Sequence, residues 1–356
     1  MKKIFFEYLI IFVISILLVE LTAYLMIKLN FLPNGITPRI TLVPHERFGF
    51  WHHKNVSFKL ASPCWNSKVS YNNYGLRNIR DVNIKKTKKR IGIFGDSMSE
   101  NIEVSDGDDF GSQLQNNLKE YEVLNFSVRS TGLGDHIELY KGLGQNFNLD
   151  YIFLFISDND FEDNYFLNAR QFQNKYKIEN TKVIKLQNEK KNYKMINSST
   201  SKIKNKIILF IKENFNSYIL YFHIKNYLKY NIYKKNNKIK NIETDVYKDY
   251  EQKKIVYSYL VKTFKNSLTN NEKLFVFVNQ RPKIISKEFY PEKKNVEEMI
   301  KIWGIDIINP IEEGRNYLKK INKYKEPFFS FSCDGHYSKL GAKFMADFVS
   351  NFFLRN

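Results

Sequence analysis

Residues 88–94, Lys-Lys-Arg-Ile-Gly-Ile-Phe, are a basic-then-apolar run of strand length, and Gly95, Asp96 and Ser97 follow it at once. A short apolar run entered from polar residues reads as a strand buried on both faces, which commits the chain to a parallel sheet covered by helices. A serine just past the carboxyl end of such a strand lies where open α/β sheets carry their chemistry, so Ser97 is a candidate nucleophile. By itself Gly-Asp-Ser also describes an ordinary turn and helix N-cap, and the reading depends on what else the chain supplies.

Four more segments repeat the pattern. Residues 121–128 (Tyr-Glu-Val-Leu-Asn-Phe-Ser-Val) read as a second strand running into Arg129, Ser130, Thr131, Gly132, Leu133, Gly134 and Asp135. Residues 150–156 form a third, running into Ser157, Asp158, Asn159 and Asp160. A helix over about 250–264 leads to the strand 273–278, and a helix over about 296–303 leads to a weaker strand at 305–308. Five strands in this order suit a doubly wound sheet, with the three polar loops on one edge. Near the C-terminus, Phe331-Ser332-Cys333-Asp334-Gly335-His336-Tyr337-Ser338 precedes a helical pattern of Leu340, Phe344, Met345, Phe348, Val349 and Phe352, with Ser338 as its N-cap. In an extended loop Asp334 and His336 point to the same side, so the carboxylate can orient the imidazole. Acyl transfer also needs donors aimed at the oxygen that becomes negative, and a glycine N–H from the second loop and the Asn159 amide suit that task.

Serine, glycine, asparagine and Asp with His, in that chain order, resemble the SGNH (GDSL-type) hydrolase family over residues of about 70–352. The resemblance implies a flavodoxin-like three-layer α/β/α domain and ester hydrolysis or O-acyl transfer through an acyl-serine. It also implies Ser97 as nucleophile and first oxyanion donor, Asn159 as oxyanion donor, His336 as general base and Asp334 as its partner. Asn72-Asn73-Tyr74-Gly75-Leu76-Arg77 looks like the segment that leads into the domain of membrane-anchored bacterial members. The family's last block is commonly Asp-x-x-His, whereas here Asp334 stands two before His336 and Cys333 stands three before. The family glycine falls on Ser130 or Gly132; Gly132 is preferred because its missing Cβ permits close approach of the backbone.

Other polar residues take plainer roles. Asp96 stabilises the nucleophile turn, and His136 reads as a surface or capping histidine. Asp158, Asp160, Glu162 and Asp163 match no metal-loop spacing and read as a solvated loop, and His52-His53 lacks companion ligands. Neither metal nor cofactor is expected.

Residues 8–27 are predominantly apolar, uncharged except for Glu20, and long enough to cross about 30 Å of hydrocarbon. The run is longer than a signal peptide needs and no small-x-small cleavage site follows it, so it reads as an uncleaved anchor. Glu20 is placed to reach the interface or pair with a neighbouring helix. The expected organisation is an anchor over 1–30, an extended arm over 31–85, and the hydrolase-like domain over 86–352 with a Lys- and aromatic-rich helical insertion at about 166–247. The expected place is a bacterial inner membrane, single-pass, with the domain on the extracytoplasmic side. That compartment is oxidising, so the two cysteines, Cys64 and Cys333, either form a disulfide or stay as buried thiols.

The net charge of +19 is carried mostly by lysine. With no nucleic-acid module and a membrane anchor, it reads as attraction to anionic lipid or acidic glycan rather than to nucleic acid. Three function classes follow: an esterase or O-acetyltransferase acting on envelope glycan, which is favoured; a lipid or general carboxyl-esterase; and a silent scaffold that keeps the fold.

Overall fold

The computed structural model describes residues 2–29, 41–62, 64–170, 172–186, 215–221, 224–225, 249–279, 293–305, 307–320, 329–331 and 334–356. Cys333, and the expected insertion helices except for residues 215–221 and 224–225, lie outside them.

The centre is a parallel sheet. Strands β5 (Lys89–Phe94), β6 (Tyr121–Asn125), β7 (Tyr151–Ile156) and β10 (Lys273–Val278) lie in the order β10-β7-β5-β6. Side chains alternate across it. Ile152, Leu154 and Ile156 face one layer with α4 (Leu133–Gly142), α5 (Tyr250–Ser267) and α6 (Lys293–Trp303), while Phe153 and Phe155 face the other with α3 (Phe110–Asn117) and α8 (Lys339–Arg355). Helices therefore cover both faces, which is why the strands are apolar throughout.

Two expectations about this region are corrected. The fifth strand is reduced, among the described residues, to a parallel bridge between Ile308 and Phe277 at the β10 edge; Asp306 lies outside the described residues. The 31–85 segment is not simply extended. Its described part folds into two antiparallel hairpins, β1 (Leu42–His45) with β2 (Gly49–His52) and β3 (Val56–Ser62) with β4 (Trp65–Tyr71). Strand β3 alternates Phe58 and Leu60 inward with Ser57 and Lys59 outward, the mark of a ribbon with one buried face. A third hairpin, β8 (Lys175–Glu179) with β9 (Lys182–Leu186), occupies the start of the expected insertion.

The Asn72-to-Arg77 motif joins the hairpins to the sheet. Asn72 Oδ1 accepts the N–H groups of Tyr74 and Leu76, each at 3.0 Å, and Gly75 sits at φ +82°, where a Cβ would also meet Trp51 Nε1 at 2.7 Å. Buried Arg77 pairs with Asp106 and donates to the Val104 carbonyl at 3.2 Å. The N-terminal helix α1 (Lys2–Lys28) contains one span, Phe6–Lys28, long and apolar enough to cross a membrane.

Candidate active site

Helix α2 (Ser97–Glu100) starts at the end of β5. Asp96 caps it by accepting the Met98 N–H at 3.0 Å, in keeping with its expected role in the turn. Gly95 makes the tight approach possible, since a Cβ there would lie 2.5 Å from Ser99 Oγ and 3.0 Å from Phe155 Cβ. Ser99 is held from behind: Asn279 Nδ2 donates to its Oγ at 2.8 Å and Asn125 Nδ2 to its carbonyl at 3.0 Å.

The C-terminal loop comes back over this turn. His336 Nε2 lies 2.9 Å from Ser97 Oγ, and His336 Nδ1 lies 2.5 Å from Asp334 Oδ1. Asp334 Oδ1 also accepts the backbone N–H of His336 at 3.1 Å, so the two-residue spacing closes a small ring that fixes the imidazole. At the end of α2, Asn101 Nδ2 donates to the Tyr337 carbonyl at 3.1 Å, tying α2 to the loop that carries His336. Ser338 caps α8, accepting from Gly341 N at 3.3 Å.

Two residues that the sequence motifs pass over complete the shell. Trp65 Nε1, from β4, donates to Asp334 Oδ2 at 3.0 Å. Glu103 Oε1 lies 3.3 Å from His336 Nδ1, with its side chain only 4% exposed. The sequence cue for Glu103 is slight, a carboxylate between Ile102 and Val104 shortly after the nucleophile. Burial pushes the Glu103 carboxyl up to about 7; Asp334 adds to the rise and His336 opposes it. Burial alone would depress the His336 imidazole, but the charges of Glu103 and Asp334 and the Asp334 hydrogen bond outweigh it and push it up to about 9. Burial would likewise raise Asp334, yet its bonds to His336 and Trp65 hold it down at about 2.

A cavity of about 480 Å³ opens over these groups; Ser97, Ser130, Asn159, Glu103, Asp334 and His336 are in its wall. Asn159 Nδ2 is steadied by Asp163 Oδ2 at 2.5 Å. Gly132 is not in that wall. Its N–H donates to Asp135 Oδ2 at 3.0 Å and it serves as N-cap of α4, with Asn164 Oδ1 filling the place of a Cβ at 2.6 Å. Ser130, at φ +62°, is the residue of this loop that borders the cavity beside Arg129.

The loops are less wet than expected. Asp158, Asp160 and Asp163 are buried rather than solvated, because Asp160 accepts the Ser157 N–H at 2.8 Å and Asp163 holds Asn159. His136 is buried rather than at the surface, 3.1 Å from Thr131 Oγ1, and burial lowers its imidazole to about 4. His52 is likewise interior: its Nε2 lies 3.1 Å from Glu100 Oε1, and its Nδ1 lies 2.9 Å from the Gly75 carbonyl. Among the described residues, Glu103, Asp334 and His336 have potential ligand atoms close enough together to hold a metal ion. Cys64 is disulfide-bonded; Cys333, the other cysteine of the sequence, lies outside the described residues.

No protein-family model and no curated protein matches the chain. Similar solved structures include the acetyl xylan esterase AlAXEase, at 12% identity over 74% of this chain and 98% of that chain with a TM-score of 0.39. A lipase/acylhydrolase from Enterococcus faecalis is similar at 10% identity over 74% of this chain and 94% of that one, TM-score 0.36. A variant of Axe2, an acetyl-xylooligosaccharide esterase from Geobacillus, is similar at 10% identity over 75% and 95%, TM-score 0.37.

Proposed function

We propose that the chain is a membrane-anchored esterase or O-acyltransferase of the SGNH (GDSL-type) kind, with a flavodoxin-like sheet, acting on acyl esters of the cell envelope with glycan as the favoured substrate. The observation that carries this reading is the continuous line from Ser97 Oγ through the His336 ring to Asp334, at 2.9 and 2.5 Å. Nucleophile, base and orienting acid within hydrogen-bond reach are what covalent acyl transfer requires.

Ser97 Oγ attacks the ester carbonyl while His336 Nε2 takes the hydroxyl proton, and Asp334 holds Nδ1–H and stabilises the imidazolium. The carbonyl oxygen becomes an oxyanion between the Ser97 N–H, the Asn159 amide and a donor from the second loop. That third donor is assigned to Ser130, because the Gly132 N–H is already engaged by Asp135 and Ser130 borders the cavity. Collapse breaks the ester C–O bond, His336 returns the proton to the leaving oxygen, and water or a sugar hydroxyl then releases the acyl group.

Incubating the full-length protein with an activated acetyl ester, with and without glycan acceptors, tests this. Acetate release or acetylated glycan that depends on Ser97 is the expected result. No turnover, together with no fluorophosphonate labelling of Ser97, overturns it.

A further inference from the structure

The last turns of the anchor do not stand clear of the domain. Glu20, Ala23 and Ile27 share one face of α1, and each meets the body of the protein. The Glu20 carboxylate accepts three hydrogen bonds, from Asn216 N at 2.6 Å, Asn216 Nδ2 at 2.9 Å and Ser217 N at 2.9 Å. Ala23 is fully buried, and Ile27 packs on the cluster of Phe58, Leu60, Trp65, Val69 and Ile219. Most of the rest of the span is outward-facing and apolar.

Depth along the helix follows from its rise. Glu20 lies fourteen residues past Phe6, the start of the apolar span, or about 21 Å at 1.5 Å per residue, within a hydrocarbon layer of about 30 Å. With the Phe6–Lys28 span seated in a bilayer, the helical turn at residues 216–221 that caps onto Glu20 falls at the depth of an interfacial helix, roughly 5–10 Å below the boundary. Its surface suits that level: Phe215, Tyr221 and Ile224 are 39%, 56% and 51% exposed, and Lys225 lies 5.7 Å over the Tyr221 ring.

The same cluster reaches the chemistry. Trp65 packs with the group that receives Ile27 and Ile219, and its Nε1 donates to Asp334. Trp65 thus belongs both to the cluster that receives the anchor's end and to the surroundings of the catalytic carboxylate.

Resting on the esterase reading above, we propose that residues 215–221 and 224–225 form a second membrane contact, seated in the bilayer leaflet on the domain's side, and that the Ser97 site takes its acyl group from ester-bearing amphiphiles lodged in that leaflet. Ser97 forms the acyl–oxygen bond, the amphiphile's ester C–O bond breaks, and its alcohol leaves with the proton carried by His336 and stays in the membrane.

A nitroxide placed at Ile224→Cys in the full-length protein, reconstituted in phosphatidylcholine–phosphatidylglycerol vesicles, reads the depth. Relaxation by oxygen should dominate over relaxation by a water-soluble nickel chelate, as at Leu18→Cys in the anchor and opposite to Ile79→Cys on the domain. Accessibility at residue 224 equal to that at residue 79 overturns the membrane contact. The substrate part is read from the ratio of turnover of an acetylated diacylglycerol in the vesicles to that of soluble p-nitrophenyl acetate. Replacing Phe215, Tyr221 and Ile224 together by Glu should lower that ratio by roughly tenfold or more. An unchanged ratio overturns the amphiphile preference. A wild-type chain that turns over neither ester refutes the esterase reading and with it the substrate assignment, while the depth measurement still decides the membrane contact.

Discussion

Ser97 carries little of the fold's stability and all of the proposed covalent step, so Ser97→Ala should abolish ester turnover and fluorophosphonate labelling while the thermal midpoint stays near that of the wild type. Asn159→Ala removes one oxyanion donor and should cost on the order of 100- to 1,000-fold in kcat. Glu103 makes a different, pH-dependent prediction. His336 is faced by three carboxylates, Glu103, Asp334 and Asp96, which together favour its protonated form and push it up to about 9. A general base works only when neutral, so kcat/KM should rise with pH through that value rather than through the usual imidazole range. Glu103→Gln keeps the shape and removes one of the charges, and the acidic limb should move down by about one unit. A pH–rate profile of the variant that overlays the wild type shows that Glu103 does not act on His336.

The hairpins β1–β2 and β3–β4 brace the loops around the candidate site. Glu100, buried three residues after Ser97, accepts from Tyr71 Oη of β4 at 2.6 Å and from Arg129 N at 2.6 Å, and lies 3.1 Å from His52 of β2. One carboxylate thus joins α2, both hairpins and the loop that carries Ser130. These partners hold it ionised: burial would raise it, yet His52, Arg129 and the Tyr71 hydroxyl bring it down to about 2. Glu100→Ala leaves a buried histidine and N–H unpaired and should destabilise the fold by about 3–5 kcal/mol, whereas Tyr71→Phe should cost about 1–2 kcal/mol. Thermal unfolding gives the order, and hydrogen exchange at the Arg129 amide should quicken in both variants.

Among the described residues an apolar helix accompanies a sheet covered on both faces, and the proposed function needs that sheet outside the cytoplasm. Alkaline phosphatase fused after residue 356 should be active, because its disulfides form only in an oxidising compartment. An inactive fusion, with a fluorescent cytoplasmic reporter at the same place, reverses the orientation and turns the substrate search to the cytoplasm. Confinement to the membrane plane also raises the local concentration of the site near its substrates, so removing residues 1–30 should lower turnover of vesicle-borne esters more than that of soluble ones.

The strands and capped helices were legible because their signals are local. An apolar run such as 151–156, or Ser338 before a helical pattern, names its own structure through side-chain period and hydrogen-bonding chemistry. The line from Ser97 to His336 and Asp334 could be foreseen from residue type and chain order, since each member follows a recognisable element. Tertiary packing decided the rest. At 305–308 the described residues form a bridge at Ile308 with Phe277 of β10 rather than a full strand. Asp160, Asp163 and His136 read as surface groups because charge and polarity favour water, yet neighbouring residues supply the hydrogen bonds that let them be buried. Whether the Gly132 N–H is free depends on where the Asp135 side chain goes, and Glu103 and Trp65 meet His336 and Asp334 from segments far from them in sequence. Such contacts arise from the summed packing of distant segments, which no local pattern encodes.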